Sequence, residues 1–260
     1  MKENDSVLIK TEELYARYGS YEDFLQRISS FQKRKFKFGV KTLTPSDSVK
    51  VKVNEDGTFN RDFVGNTVVF DLDESQKSFI YNRYIKPFYL TFPHCFANSF
   101  SEKTVHVTLH DLYAWDDSAR GASKYAEMKI VEEELYNSEK RKSIEVDTIT
   151  MRTTCVFNMV NTSMVLGLKP KTEEDYIKLM RLYSVVDEFK TLPYPLTPHI
   201  TLAYFSRQGL NEEDIQKMEP LIDAMNMAVF EVTLSTDKLF HQKFSGMDDF
   251  VNTLSFVEPK

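Results

Sequence analysis

The sequence predicts an α+β protein with two related lobes, each an antiparallel sheet with helices on its outside. Strand-like and helical patterns alternate along the 260 residues, and hairpin signals are frequent. A weak internal repeat defines the lobes: in each half a strand precedes a second strand that contains His-x-Thr-Leu, and a helix and a further strand follow. We therefore expect both sheets to line a central cleft that holds the two His-x-Thr-Leu strands.

The first part of the chain predicts a helical extension. Residues 11–32 carry apolar side chains at helical spacing, and Ser20 with Asp23 forms a capping-box pattern. We place this extension over residues 1–48, and the two-lobed domain over residues 49–260.

The first lobe is predicted to begin with a strand. Valine and lysine alternate over residues 49–53, as in a strand with one buried face, and Asp56-Gly57 is a strong hairpin turn signal. A second strand is expected over residues 68–72. The aromatic segment 74–92 is ambiguous between helix and loop, because its prolines limit any helix there.

Further elements follow the first His-x-Thr-Leu strand. A Glu- and Lys-rich pattern predicts a helix over 118–140, and two strands are expected over about 144–159 and 163–168. Thr172 and Asp175 form a capping-box pattern at the start of the next helix.

The end of the chain predicts one more helix and two strands. Three prolines give an extended approach to the second His-x-Thr-Leu strand. Asn211 can cap the following helix, which Pro220 is expected to kink or end. Strands are expected near 229–236 and 251–257.

Composition indicates a folded protein. Hydrophobic residues make up 42% and charged residues 28% of the chain, which excludes a disordered chain. The net charge of −6 excludes a broadly basic nucleic-acid surface. No signal peptide or membrane-spanning run is recognisable, and Cys95 and Cys155 fit no zinc spacing. We expect a cytoplasmic protein without a membrane partner or a bound metal.

The two His-x-Thr-Leu motifs are the candidate catalytic residues. A strand sends side chains i and i+2 to the same face, so His106 and Thr108 point one way together, and His199 and Thr201 do likewise. A neutral imidazole can take a proton from water or a hydroxyl, and an imidazolium can protonate a leaving oxygen. The threonine hydroxyls would donate hydrogen bonds to phosphate oxygens. This set suits acid–base cleavage of a phosphodiester; which histidine is the acid stays open.

The motif pair resembles the signature of the 2H (two-histidine) phosphoesterase superfamily, which includes RNA 2′,3′-cyclic phosphodiesterases. A further resemblance, over about residues 50–206, is to an uncharacterised bacterial and fungal branch of that superfamily. It rests on the segments Asp56-Gly57, Gly65-Asn66-Thr67-Val68-Val69, His106-Val107-Thr108 and Pro198-His199-Ile200-Thr201-Leu202-Ala203-Tyr204. The resemblance implies a bilobal, pseudo-twofold fold and metal-free chemistry with no cofactor. The expected substrate is a nucleotide or an RNA end, with a cyclic phosphate or a short phosphodiester.

Five further residues are candidates for substrate binding. By strict alternation His110 shares the face of the first histidine and would border the cleft. Tyr113 follows in a predicted loop, and Asn66 could reach the cleft from the neighbouring strand. By the same alternation Phe205 lies on the face of the second histidine, whereas Tyr204 lies on the opposite face unless a bulge intervenes. An aromatic ring at the cleft could stack on a base; a core or turn role is the alternative for each.

Two other functions stay open at this point. The cleft could bind a nucleotide or phosphorylated ligand without turning it over, or both motifs could be structural in an interaction protein. The basic cluster Lys33, Arg34, Lys35 and Lys37 could contact a phosphate chain, but such a run is more commonly solvated.

Overall fold

Two four-stranded antiparallel sheets form the centre of the described chain, which confirms the predicted α+β architecture. The computed structural model describes residues 8–32, 41–116 and 122–257. The first sheet contains, in spatial order, β2 (His106–Asp116), β1 (Phe63–Asp71), β7 (Leu239–Ser245) and β8 (Phe250–Ser255). The second contains β5 (His199–Tyr204), β4 (Ser163–Pro170), β3 (Thr148–Met159) and β6 (Glu231–Ser235).

The two sheets place their His-x-Thr-Leu strands alike. β2 and β5 are edge strands, and each pairs with the strand that precedes it in the chain, β1 or β4. β2 also lies against β5, so the two edges meet between the sheets. The halves of the sequence do not map cleanly onto the sheets, since β3 joins the second sheet and β7 and β8 complete the first. β7 is a strand that the sequence pattern did not reveal.

Helices surround the sheets. Their bounds are α1 (Thr11–Tyr18), α2 (Tyr21–Gln32), α3 (Asp47–Lys52), α4 (Glu74–Ile80), α5 (Lys86–Thr91), α6 (Ala122–Asn137), α7 (Glu139–Lys142), α8 (Glu173–Asp187) and α9 (Glu212–Asn226). A π-helical turn, Tyr81–Ile85, joins α4 to α5, so the ambiguous segment is helical. The predicted helix over 118–140 is present as α6 and the start of α7; residues 117–121 lie outside the described ranges. Of the helices within those ranges, none is both long enough and apolar enough to span a membrane.

The predicted strand over residues 49–53 is wrong, because residues 49–52 lie in α3 and only Val53, directly after the helix, is extended. Val49 and Val53 are both fully buried, and their spacing of four residues puts them on one face of a helix. The same valines also fit a period of two, so the local pattern does not separate the two structures. The predicted turn that follows is confirmed: Gly57 has φ of 85°, and its N–H donates to the Asn54 carbonyl at 3.1 Å.

Pro220 was predicted to kink or end α9, and it does not end the helix. The predicted cap at Asn211 is present as a full capping box with Asp214, and the helix continues through the proline to Asn226. Met218 and Ile222 are buried on either side of Pro220. The burial of this apolar face on both sides of the proline offsets the backbone hydrogen bond that a proline removes.

The N-terminal helices pack against α8 of the second lobe. Gly19 separates α1 from α2 with φ of 86°, so the helical segment predicted over 11–32 is two helices. Leu14 and Phe24 are buried, and the Phe24 ring centroid lies 5.1 Å from that of Tyr176 on α8. The division at residue 48 stays a prediction and falls within α3. The basic cluster over residues 33–37 lies outside the described residues.

Candidate active site

The two motif histidines are held by the same hydrogen bond. Nδ1 of His106 lies 2.8 Å from the carbonyl oxygen of Thr104, and Nδ1 of His199 lies 2.7 Å from that of Thr197. A carbonyl only accepts, so Nδ1 carries the proton in both rings. Nε2 is therefore the atom of each ring that is left for proton transfer. It is an acceptor when the ring is neutral and a donor when the ring is protonated.

A β-bulge follows the threonine in both motifs. In the β1–β2 pair Val69 lies opposite Thr108 but Val68 lies opposite His110, so Leu109 is the extra residue. In the β4–β5 pair Val165 lies opposite Thr201 but Met164 lies opposite Ala203, so Leu202 is the extra residue. A bulge inserts one unpaired residue and reverses the alternation of faces beyond it. The leucine of His-x-Thr-Leu is thus the residue at which each strand changes face.

The second bulge exchanges the predicted positions of two aromatic residues. Beyond Leu202, Tyr204 returns to the face of His199 and borders the cavity described below. Phe205 is fully buried instead, and its ring stacks on that of Phe96 with 5.7 Å between centroids. The predicted faces of the two residues are therefore exchanged: Tyr204 is the aromatic residue that the strand presents to the cleft, and Phe205 packs in the core.

One cavity of about 880 Å³ is bordered by both motifs. This volume is within the range for sites that bind a drug-sized molecule or a cofactor. The motif residues at its wall are His106, Thr108, His199 and Thr201. Burial raises the pKa of Tyr204 to about 12, and the neighbouring Thr201 side chain opposes this shift. The arrangement brings two imidazoles and two hydroxyl groups, far apart in the sequence, to the wall of one cavity.

Burial lowers the pKa of both histidines. For His106 the hydrogen bond to Thr104 and the carboxylates of Asp71 and Asp111 act in the opposite direction, and the charge of His199 lowers the pKa further. His199 is therefore close enough to His106 for the two rings to affect each other. For His199 burial is again the largest cause of its lowered pKa, and its backbone hydrogen bond opposes the shift. Lowered pKa values keep a neutral imidazole available in mildly acidic solution.

His110 does not share the face of His106, because the bulge at Leu109 intervenes. Its ring is fully buried against α8, where its centroid lies 4.7 Å from that of Tyr183 and Nε2 lies 3.4 Å from Asp187. Nδ1 contacts the Asp111 carbonyl oxygen at 2.5 Å. His110 borders the cavity as part of a packed wall, and its direct contact with substrate remains a prediction.

Asn66 and Tyr113 also border the cavity. Asn66 is buried, and its polar atoms are engaged: Nδ2 lies 3.0 Å from Nε2 of His241, and Oδ1 accepts from the backbone N–H of Tyr113 at 3.0 Å. It positions β2 against β1. Tyr113 is half-buried, with the Lys190 ammonium 4.5 Å from its ring centroid. Tyr113 is the better placed of the two to contact a substrate.

Two cationic residues at the cavity wall were missed by the sequence analysis. Lys52 ends α3, and Arg27 on α2 donates to the Leu196 carbonyl at 2.6 Å and to the Thr197 hydroxyl at 3.3 Å. Both come from the first 52 residues, outside the two motifs. No local pattern marks them, since an isolated lysine or arginine in an amphipathic segment is usually solvated.

One group of side chains in the described ranges could hold a metal ion, and it lies apart from the cavity. His94 Nε2, Cys95 Sγ and a carboxylate oxygen of Asp214 lie within 4.8 Å of one another. Asp214 accepts from His94 at 2.8 Å and also belongs to the capping box of α9. Burial raises the pKa of the Cys95 thiol to about 12, which keeps it protonated. The hydrogen bond and the capping box give His94 and Asp214 structural roles.

Comparison with solved structures finds the same fold elsewhere. A conserved protein of unknown function from Agrobacterium tumefaciens str. C58 is 18% identical, with a TM-score of 0.61 over 82% of this chain and 94% of that chain. At this identity the match shows a shared fold alone. No protein-family model matches the chain. A search of curated proteins gives no significant match.

Two further matches are to structures determined with nucleotides. Escherichia coli LigT complexed with 3′-AMP is 14% identical, covering 74% of this chain and 96% of that chain with a TM-score of 0.39. Kluyveromyces marxianus Usb1 with uridine monophosphate is 13% identical, covering 74% and 98% with a TM-score of 0.38. Scores this low support no transfer of residue roles to this chain.

Proposed function

We propose that this chain is a two-histidine phosphodiesterase that acts on a cyclic phosphate or a short nucleotide phosphodiester without a metal ion. The observation that carries the proposal is the matched pair of motifs at one cavity. Each motif offers an imidazole fixed through Nδ1 and a threonine on the same strand face. A structural role would not require the same ring geometry on two strands that are distant in the chain.

The proposed reaction is a proton relay across the phosphorus atom. One imidazole accepts a proton on Nε2 from water as the water oxygen forms a bond to phosphorus. The imidazolium of the other donates its Nε2 proton to the leaving oxygen as the phosphorus–oxygen bond breaks. Such acid–base steps contribute on the order of 10²–10⁴-fold in rate. Thr108 and Thr201 donate hydrogen bonds to the non-bridging oxygens, whose negative charge grows in the transition state.

The substrate class follows from the size and lining of the cavity. A space of about 880 Å³ accommodates a mononucleotide or a short dinucleotide. Tyr113 and Tyr204 offer ring faces on which a base could stack. A nucleotide or an RNA end is therefore the proposed substrate, and a cytoplasmic location stays a prediction.

The threonines are expected to contribute through their hydroxyls. T108V and T201V, which keep the side-chain shape, should each lower kcat/KM by about 10²–10³-fold, the effect of removing one donor to a developing oxyanion. T233V is the matched control, because Thr233 is an exposed strand threonine on β6 away from the cavity. Steady-state kinetics would test this, and T108V and T201V with parental rates would refute the role of the hydroxyls.

A substrate screen in the presence of EDTA tests the function. Cyclic mononucleotides, RNA ends with a 2′,3′-cyclic phosphate, and short 2′,5′- and 3′,5′-linked oligoadenylates form the panel. We expect turnover of at least one of these classes, unaffected by EDTA. Binding of a panel member with no turnover of any would instead indicate the binding module. If no panel member is bound or turned over, the proposed function is wrong.

A further inference from the structure

Two cations, Arg27 and Lys52, lie on the His199 side of the cavity, and Arg27 is engaged by the Leu196 carbonyl and the Thr197 hydroxyl. Lys52, the last residue of α3, borders the cavity beside the second motif. Its ammonium lies 5.6 Å from the ring centroid of Tyr204 and 5.6 Å from that of Phe63. Tyr204 is in turn a neighbour of Thr201 on the cavity wall. The lysine, the tyrosine and the motif threonine therefore form a continuous wall on the His199 side.

Lys52 has no carboxylate partner in the part of the chain that the structure describes. Lys50 on the same helix is exposed and pairs with Asp47 at 2.7 Å, so the two lysines are in different environments. Burial lowers the pKa of Lys52, and Asp111 opposes this from beyond ion-pair distance. A half-buried ammonium without a paired anion loses part of its hydration, and the two aromatic rings compensate for only part of that loss. An anionic ligand in the cavity would complete its environment.

We propose that Lys52 is a further catalytic residue, whose ammonium binds a non-bridging oxygen of the phosphate on which the two histidines act. This inference rests on the proposed function. Its physical basis is position: the ammonium borders the cavity 5.6 Å from the ring centroid of Tyr204, the neighbour of Thr201, and it is near enough to His199 for its charge to act on that ring. The positive charge offsets the negative charge that grows on the phosphate in the transition state.

The lysine also distinguishes the two imidazoles. Asp111 raises the pKa of both rings, Asp71 raises that of His106, and the charge of Lys52 lowers that of His199. His199 is then the ring that stays neutral and takes the proton from water, and His106 is the ring that donates a proton to the leaving oxygen. In one turnover Nε2 of His199 gains a proton and Nε2 of His106 loses one. Loss of a proton from His199 to water and gain of one by His106 from water then restore the starting state.

The experiment compares K52M, K52R and K50M. Methionine keeps the length of the side chain and removes its charge, arginine restores a charge, and K50M is the matched control on the exposed face of the same helix. We expect K52M to lower kcat/KM by about 10–100-fold, the effect of losing a hydrogen bond to a charged group, with K52R between K52M and the parent. K50M should be within about twofold of the parent, as for a surface substitution. Equal thermal melting of K52M and K50M shows that folding is not the cause.

The pH profile gives a readout that a purely structural lysine would not move. The charged and titratable groups around His199 are Asp111 and His106 from β2, Arg27 from α2 and Lys52. Activity rises with pH as the base loses its proton, and removal of the Lys52 charge raises the pKa of His199. The acidic limb of kcat/KM should therefore move to higher pH in K52M but not in K50M. An unmoved limb, or parental kcat/KM in K52M, would overturn the proposal.

A binding measurement separates this proposal from the proposed function. Inorganic phosphate, titrated against parent, K52M and K50M by calorimetry, reports on the anion site without turnover. We expect weaker binding to K52M alone. The parent could turn over no phosphodiester while K52M still bound phosphate more weakly than the parent. That result would reject the phosphodiesterase function and support the anion site at Lys52. Equal phosphate binding by all three would reject the anion site.

Discussion

Replacement of His199 by asparagine is expected to lower kcat/KM by about 10²–10⁴-fold, and replacement of His106 by a similar factor. Asparagine is the sharper substitution because its Nδ2 can still donate to the backbone carbonyl that now binds Nδ1 of each ring. The fold at the start of β2 and β5 is then kept, and only Nε2 is lost. The kcat/KM of the double variant should be only slightly below that of the less active single variant, because both rings act in the same proton relay.

The control for the histidine variants is H94N. His94 has a 62% exposed side chain and lies outside the cavity, so its replacement should leave turnover near that of the parent. Calorimetric titration with the substrate, or with a slowly hydrolysed analogue, should show that H106N and H199N still bind. Parental turnover in either motif variant would show that its imidazole takes no part in the reaction.

Replacement of Phe205 by alanine is expected to lower the free energy of unfolding by about 3–5 kcal/mol, the usual cost of deleting a buried phenyl ring. Phe205 is fully buried, stacks on Phe96, and lies one residue beyond the last residue of β5. The loss combines the transfer of the ring from the core with the cavity that remains. Chemical denaturation of F205A and the parent measures it.

The control for F205A is L90A, in which an aliphatic residue that is 73% exposed is removed from α5. L90A should change the free energy of unfolding by no more than about 0.5 kcal/mol, as for surface substitutions. F205L, which refills most of the volume, should keep the kcat/KM of the parent. A stable F205A that had lost activity would instead place the ring against the substrate and contradict the bulge at Leu202.

The motif histidines and the fold class could be predicted from the sequence because both depend on local pattern. His106 and His199 each interrupt an alternating apolar run, and the threonine two residues on fixes which side chains point together. The capping boxes at Thr172 and Asn211 were recognised for the same reason, since all their partners lie within four residues.

The faces beyond the motifs could not be predicted, because a bulge is a property of a strand and its partner. Leu109 and Leu202 look like ordinary strand residues until β1 and β4 are paired with them. One extra residue then inverts the positions that follow it, in β2 as far as a second bulge at Leu112, and in β5 through to Phe205 in the core and Tyr204 at the cavity.

The sequence does not predict that Lys52 lies at the cavity, because its segment fits both a strand and a helix. Valine at every second position also places valines four residues apart. Val49 and Val53 fit either period, and the segment is too short for length to decide between helix and strand. Whether the segment forms a helix or a strand depends on its packing with the rest of the core, and a short stretch of sequence carries no information about that packing. The helical conformation of α3 places Lys52 at the cavity wall.

The pH dependence of kcat/KM for the best substrate, measured with EDTA present, tests the central claim most directly. One imidazole must be neutral to accept a proton and the other charged to donate one, so activity rises with pH through one pKa and falls through another. Because burial lowers the pKa of both rings, we predict a bell with its maximum below the ordinary histidine value of about 6.5. A profile that lacks either limb, or a rate that EDTA abolishes and a divalent cation restores, would contradict catalysis by this histidine pair.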